Sequence, residues 1–448
     1  MKNSRYIAMD TLCQWQKSRR SIDLIVGQAV APLKDFRDRQ LVKAIIFGVL
    51  RNYSLLDWVA AKYSRQPLQK MKMEVMQALR VGIYQLLFMD RVPASAAVNE
   101  TIKALKAHKQ PRWITGFANG VLRNVERQKS DLLAVVNSGK IPERARLNHP
   151  DWLLHRWKKR YGSARLEEIC RANNTQAGLC LRVNSARISV EDFLALLTNE
   201  GIAYSQGKYQ PEAVWIDAET GLVENLPGYS EGYFWVQDEL AQLLCSLLGP
   251  FEEGAYVDGC AGLGGKTAVI EQCIPPGSTI TAVEPTRQRL ELLGRNFARL
   301  GVTGVDIYQG TLQEFARDTM EIFRAVLVDA PCSGLGVIGR HPDIRWSRKP
   351  EDLKRYPEKQ LELLQAAAGL VGPGGVVVYA TCSTEPEENE QVVEQFLSSN
   401  SKFTVEDARN VLGEKCNELV DEKGFLRTVP GDLVSDGFFA ARLVNGSG

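Results

Sequence analysis

The sequence predicts three parts in series: an all-α N-terminal domain at 1–145, a small α+β linker domain at 146–230, and a doubly wound α/β domain at 231–448. Three observations carry this. Along the first third, apolar residues recur every three or four positions, the period of amphipathic helices. In the second half, short apolar strands alternate with helices, the pattern of a mostly parallel sheet. Charge divides along the same line: residues 1–150 hold 26 Lys and Arg against 11 Asp and Glu, and the rest hold 29 against 42.

In the first part, DRQLVKAIIFGVLRNYSLLDWVA and MEVMQALRVGIYQLLFM each read as an amphipathic helix, with breaks at Gln66-Pro67 and Val92-Pro93. Its basic excess predicts a polyanion partner, most simply nucleic acid; the plainer alternative is a solvated helical surface. In the second part, DWLLHRWKKRYG reads as a helix, LCLRVNSARIS as a strand and turn, and EDFLALLTNEG as a helix stopped by Gly201. The third part alternates: strands in AYVDG, STITAVEP, VDIYQG, FRAVLVDA and GGVVVYATC, helices in RLELLGRNFARLG and NEQVVEQFL.

The composition is that of a soluble globular chain, 44% hydrophobic and 24% charged in 448 residues. Nine Cys with no C-x-x-C pair, and only four His, argue against a zinc site. No signal peptide and no run of about 18 apolar residues is found, so reduced thiols, a cytoplasmic location and no membrane span are expected. A monomer is the default.

Two stretches carry the chemistry. VLVDAPCSGLG (326–336) and VVVYATCSTEP (376–386) each read as a buried strand ending in Cys-Ser. Ligands on such sheets bind beyond the carboxyl ends of the strands, so Cys332 and Cys382 can meet in one crevice although 50 positions apart. The turn VDGCAGLGGKT (257–267) ends like a P-loop, but that motif needs Gly where Cys260 stands, and a dinucleotide fingerprint does not fit either. It remains a glycine turn that lets a nucleoside approach the backbone, and Glu284 at the next strand's end suits a ribose. S-adenosylmethionine heads the candidates, with a nicotinamide cofactor behind it. A thiolate is a strong nucleophile. Added to carbon 6 of a pyrimidine, it makes carbon 5 able to attack a methyl sulfonium. The competing reading is two buried core thiols.

GCAGLGGKT, DAPCSGLGVIGRHPDIRWSR, YATCSTEPEENEQVV and DGFFAARL resemble the NOL1/NOP2/Sun family of RNA cytosine-5 methyltransferases. RQLVKAIIFGVLRNYSLLDW, LRVGIYQLLFMDRVPASAAVNETI and GFANGVLRNVER resemble the NusB-like RNA-binding domain, and the pairing looks like the bacterial Sun/RsmB branch. The resemblance covers nearly the whole chain. It implies a Rossmann-like S-adenosylmethionine-dependent domain acting on small-subunit (16S) ribosomal RNA, free or in an assembling subunit. It implies that Cys382 is the nucleophile, that Cys332 assists release of product, and that Asp329 holds the cytosine. Cys260, Ala261, Gly262, Leu263, Gly264, Gly265 and Lys266 would line the cofactor, with Lys266 near the reaction centre. Glu284 would take the ribose, Thr311 would stand where the family has an adenine-binding carboxylate, and 340–346 would buttress the active site. Three departures sit in the cofactor pocket: Ala261-Gly262-Leu263 for Ala-Ala-Pro, Glu284 for Asp, and Thr311 for Asp. The last predicts a loss of about 1 kcal/mol of cofactor affinity. A tRNA methyltransferase, a non-catalytic RNA-binding assembly factor and a nicotinamide oxidoreductase are the alternatives.

Overall fold

A computed structural model describes residues 3–18, 20–216, 223–432 and 436–446. The chain forms two compact units. One joins residues 1–175 to the short segment 338–348; the other holds 176–337 and 349–448.

The first unit is helical, as the apolar period predicts. Its core gathers one face from each helix, including Leu12, Ile45, Leu56, Leu79, Val98 and Leu122, all at most 4% exposed. The stretch 38–60, read as one helix, is two: Phe36–Arg51 and Tyr53–Tyr63, bent by 81°. Asn52 makes the bend. It leaves helical geometry, and its side chain donates to the Gly48 carbonyl. Pro93 caps the helix Ala94–Ala107, as the break at Val92-Pro93 predicts. The helix Asp151–Asn174, begun by DWLLHRWKKRYG, packs with this unit and is interrupted at Gly162, whose φ is 79°. Among the described residues no single helix is long and apolar enough to cross a membrane.

In the second unit, β1 (Leu179–Val183), β2 (Tyr204–Gln206), β3 (Ala213–Ile216) and β4 (Phe234–Val236) form an antiparallel sheet in the order β2-β3-β1-β4. The helix Val190–Asn199 covers it, and Ser189 caps that helix by accepting from the Asp192 amide.

The main sheet comprises β5 (Ala255–Asp258), β6 (Thr279–Val283), β7 (Val305–Tyr308), β8 (Phe323–Asp329), β9 (Val371–Thr381), β10 (Phe403–Glu406), β11 (Leu426–Arg427) and β12 (Phe439–Asn445). Its order is β10-β12-β9-β8-β5-β6-β7, with β11 paired to β12. β5 through β9 run parallel, and β12 enters antiparallel to β9. The central strands β5, β8 and β9 are buried on both faces and read as apolar runs, whereas the edge strand β7 is exposed. Alternate residues serve opposite faces: Leu327 and Val378 pack with the helices Glu239–Ser246 and Gly265–Cys273, whereas Val326 and Val377 pack with Asp352–Ala368 and Glu390–Ser399. The chain reverses direction across the sheet between β5 and β8, so the crevice opens where Asp258 and Asp329 end their strands.

Candidate functional site

The second unit carries every residue singled out for chemistry. Asp258 closes β5 and is 1% exposed. The turn beyond it needs glycine: Gly262 and Gly264 have φ of 57° and 85°. A cavity of about 210 Å³ lies there, lined by Gln237, Asp258, Cys260, Ala261, Gly262, Leu263, Gly265, Lys266 and Asp329. Lys266 donates to Asp329 at 2.7 Å across the crevice. Burial opposes the Lys266 charge, but the Asp329 carboxylate outweighs it and the pKa rises. Burial raises Asp258 to about 6; a 2.7 Å hydrogen bond from Thr267 and the Lys266 charge oppose the shift, and the Asp329 charge adds to it. Burial, then the charges of Asp258, Asp329 and Glu284, push the Cys260 thiol upward, which makes it a poor nucleophile.

Glu284 is buried at the end of β6 and accepts from the Thr286 amide at 2.8 Å, with Arg289 at 3.7 Å. The Ala261 amide reaches back to the Val283 carbonyl, so Glu284 flanks the glycine turn without lining the cavity itself. Gly264 sits behind that lining, against the Phe297 ring. Thr311, expected to stand beside the cofactor, caps a helix: its hydroxyl donates to Glu314 at 2.8 Å and accepts from the Glu314 amide at 3.2 Å. The signal was in the sequence: Thr-x-x-Glu is a capping box.

β8 and β9 are parallel neighbours with Asp329 opposite Ala380. Each runs on into a Cys-Ser pair. The Cys332 and Cys382 sulfurs lie 3.2 Å apart, and both thiols are free. The hydrogen bond with Cys382, then burial and the nearby Cys382 and Glu388 charges, hold Cys332 well above the usual thiol pKa. Gly336 holds the loop after Cys332 in place: its amide donates to the Cys382 carbonyl at 3.0 Å, and a Cβ there would meet the Gly437 carbonyl at 2.0 Å.

The sequence reading missed Glu388. It is fully buried and accepts from the Ser333 amide at 2.7 Å and from both the Ser333 and Ser383 hydroxyls at 2.5 Å. It also missed Asp258 and Gln237 in the cavity lining. The segment 340–346, expected to buttress the active site, belongs to the helical unit. There Arg345 is fully buried, and Trp346 donates to the Leu50 carbonyl at 2.8 Å. Among the described residues no group of three His, Cys, Asp or Glu is placed to hold a metal ion.

The chain matches three family patterns. They are the NusB family at residues 2–127, the ferredoxin-like domain of RsmF/B-like methyltransferases at 149–222, and the 16S rRNA methyltransferase RsmB/F pattern at 245–444. The ribosomal RNA small subunit methyltransferase B of Escherichia coli O6:K15:H31 (strain 536 / UPEC) is 36% identical over 444 residues, 99% of each chain. The solved structure of PH0851 shares the fold over 98% of both chains, with a TM-score of 0.81 and 23% identity. A methyltransferase homolog protein from Pyrococcus horikoshii matches 67% of this chain and 97% of its own, with a TM-score of 0.58 and 27% identity.

Proposed function

From the premise that this chain belongs to the RsmB/F family of 16S rRNA methyltransferases, we propose that it transfers a methyl group from S-adenosylmethionine to carbon 5 of a cytosine in small-subunit ribosomal RNA, through a covalent bond from Cys382 to carbon 6. The observation that carries the mechanism is the pair of thiols 3.2 Å apart at the ends of two adjacent parallel strands.

The pocket suits a cationic, phosphate-free nucleoside. In the lining, Asp258 and Asp329 set two carboxylates against the Lys266 ammonium, an arrangement that repels a pyrophosphate and attracts a sulfonium. When bound, S-adenosylmethionine supplies an electrophilic methyl group. The turn from Cys260 to Leu263 offers backbone close to the nucleoside, and Glu284 takes the ribose hydroxyls.

The remaining steps belong to this chain's own residues. Asp329, paired with Lys266, holds the protonated ring nitrogen of the target cytosine. The Cys382 thiolate adds to carbon 6, and the displaced electron pair makes carbon 5 nucleophilic. After methylation, carbon 5 gives up its proton to water in the crevice, and the electron pair left behind expels the Cys382 sulfur from carbon 6, which restores the aromatic ring and the thiolate; the ring-nitrogen proton then returns to solvent. Cys332, beside Cys382, assists this release. The base must leave its stack to expose carbon 6, and single-stranded or loop RNA permits that. The basic first third grips the phosphate backbone in a salt-dependent way. The direct test is methyl transfer to unmodified 16S ribosomal RNA beside a tRNA control. Transfer to the ribosomal RNA is expected; transfer to tRNA alone contradicts the substrate, and transfer to neither contradicts the enzyme.

The Asp258 carboxyl sets a pH dependence for cofactor binding. Its ionised form attracts a cation, and its pKa of about 6 means that acid removes this attraction. Affinity for S-adenosylmethionine, measured by calorimetry, should fall about fourfold from pH 7.5 to pH 5.5. Asp258→Asn should flatten the dependence. Equal affinity of the wild type at both pH values contradicts the assignment.

A further inference from the structure

Each reactive Cys is followed by Ser, and both Ser side chains end on the same buried carboxylate. We infer that Glu388 is a positioning residue that fixes the separation of the two thiols by holding the residue after each. The inference rests on the roles given above to Cys382 and Cys332.

Glu388 accepts four hydrogen bonds, all from neutral donors. Oε1 takes the Ser333 amide at 2.7 Å and the Gln360 side chain at 3.2 Å; Oε2 takes the Ser333 and Ser383 hydroxyls, each at 2.5 Å. Gln360 also donates to the Pro331 carbonyl at 3.1 Å, so the clamp grips the Cys332 loop on both sides of the thiol. The Cys382 side is held as firmly. Asn389, next to Glu388, accepts from the Thr381 hydroxyl at 2.6 Å and donates to the Ser383 carbonyl at 2.9 Å. Glu388 is itself anchored, because its carbonyl accepts from the Tyr379 hydroxyl on β9 at 2.5 Å.

A buried carboxylate is costly, and its desolvation raises the Glu388 pKa even against these four donors. A neutral side chain could fill the same space without that cost. What the carboxylate adds is convergence: one group with two oxygens ties together two loops whose thiols must act on one ring. Cys382 bonds carbon 6 and Cys332 assists its release from the same ring, so the two sulfurs must stand close together, as they do at 3.2 Å. A shift of about 1 Å in such an arrangement costs on the order of 100-fold in rate.

The test uses the full chain with unmodified 16S ribosomal RNA and S-adenosylmethionine. Glu388→Ala should lower kcat about 100-fold with KM for RNA and cofactor within about twofold. Glu388→Gln, which keeps the size and one acceptor, should lose about tenfold. The Ser333→Ala/Ser383→Ala double variant should follow Glu388→Ala although the carboxylate remains, and it carries the test if Glu388→Ala does not fold. A second readout is independent of RNA: the thiol cross-linker dibromobimane, with the product mapped by peptide mass. It should bridge Cys332 and Cys382 in the wild type and about tenfold more slowly in Glu388→Ala. Cross-linking within twofold of wild type in both the Glu388→Ala and double-serine variants overturns the clamp. So does a fall in kcat matched by an equal loss of cofactor affinity. A wild type that cross-links but does not methylate overturns the proposed reaction and leaves the clamp standing.

Discussion

Cys382→Ala should lose methylation of small-subunit ribosomal RNA by more than about 1,000-fold and form no RNA-linked species, because the attacking atom is gone. Cys332→Ala should behave differently. Its nucleophile remains 382, so RNA is captured, but the neighbour that assists release is missing. An RNA–protein band should accumulate on a denaturing gel and depend on S-adenosylmethionine. Methylation that persists in both variants, with no band in either, would make the thiols packing residues.

Arg345→Ala should lower the melting temperature of the helical unit by roughly 6–12 °C, from a loss of about 3 kcal/mol. Arg345 is fully buried in that unit. Its guanidinium donates to the Asn148 carbonyl at 3.1 Å, to the Asn173 carbonyl at 2.6 Å and to the Asn174 side chain. Burial lowers its pKa, and the carbonyl acceptors offset part of the lost hydration. Two of those acceptors close the C-terminal end of the helix Asp151–Asn174, where a cation is favoured. Removing the side chain leaves buried acceptors unpaired and a void behind them. Affinity for S-adenosylmethionine should stay within twofold, because no residue of 338–348 lines the cofactor cavity. Differential scanning calorimetry with and without cofactor checks both statements. An unchanged melting temperature contradicts the anchor.

The catalytic half was largely legible because its signals are local. Apolar runs of strand length, glycines in a turn and Cys-Ser at two strand exits each mark a place on a parallel sheet, and the strand order brings those places together. The acid at the end of β6 followed from the same logic, whereas the Lys266–Asp329 hydrogen bond appears only in the structure. What escaped were features made by tertiary partners. The bend at Asn52 leaves the apolar period intact, so the period does not show it; Asn52 bonds locally to the Gly48 carbonyl, and the Asn148 side chain that accepts from the Leu55 amide comes from the fold. Glu388 sits in a run of acids, EPEENE, that reads as a solvated surface, yet it points inward to two hydroxyls. The segment 340–346 was assigned to the active site by resemblance alone; in the structure its Arg345 bonds the Asn148 and Asn173 carbonyls within the helical unit. At Thr311 the sequence also spelled out a helix cap, Thr-x-x-Glu, beside the role that resemblance gave it.

The central claim is that methylation at carbon 5 passes through addition at carbon 6, and loss of the carbon 5 hydrogen reports it directly. Unmodified small-subunit ribosomal RNA carrying tritium at carbon 5 of its cytosines is incubated with the protein and S-adenosylmethionine, and tritium in water is counted against methyl groups incorporated. The account predicts one tritium released per methyl transferred, with none released by Cys382→Ala. Methyl incorporation with the tritium retained would place the methyl group elsewhere on the nucleotide and contradict the mechanism.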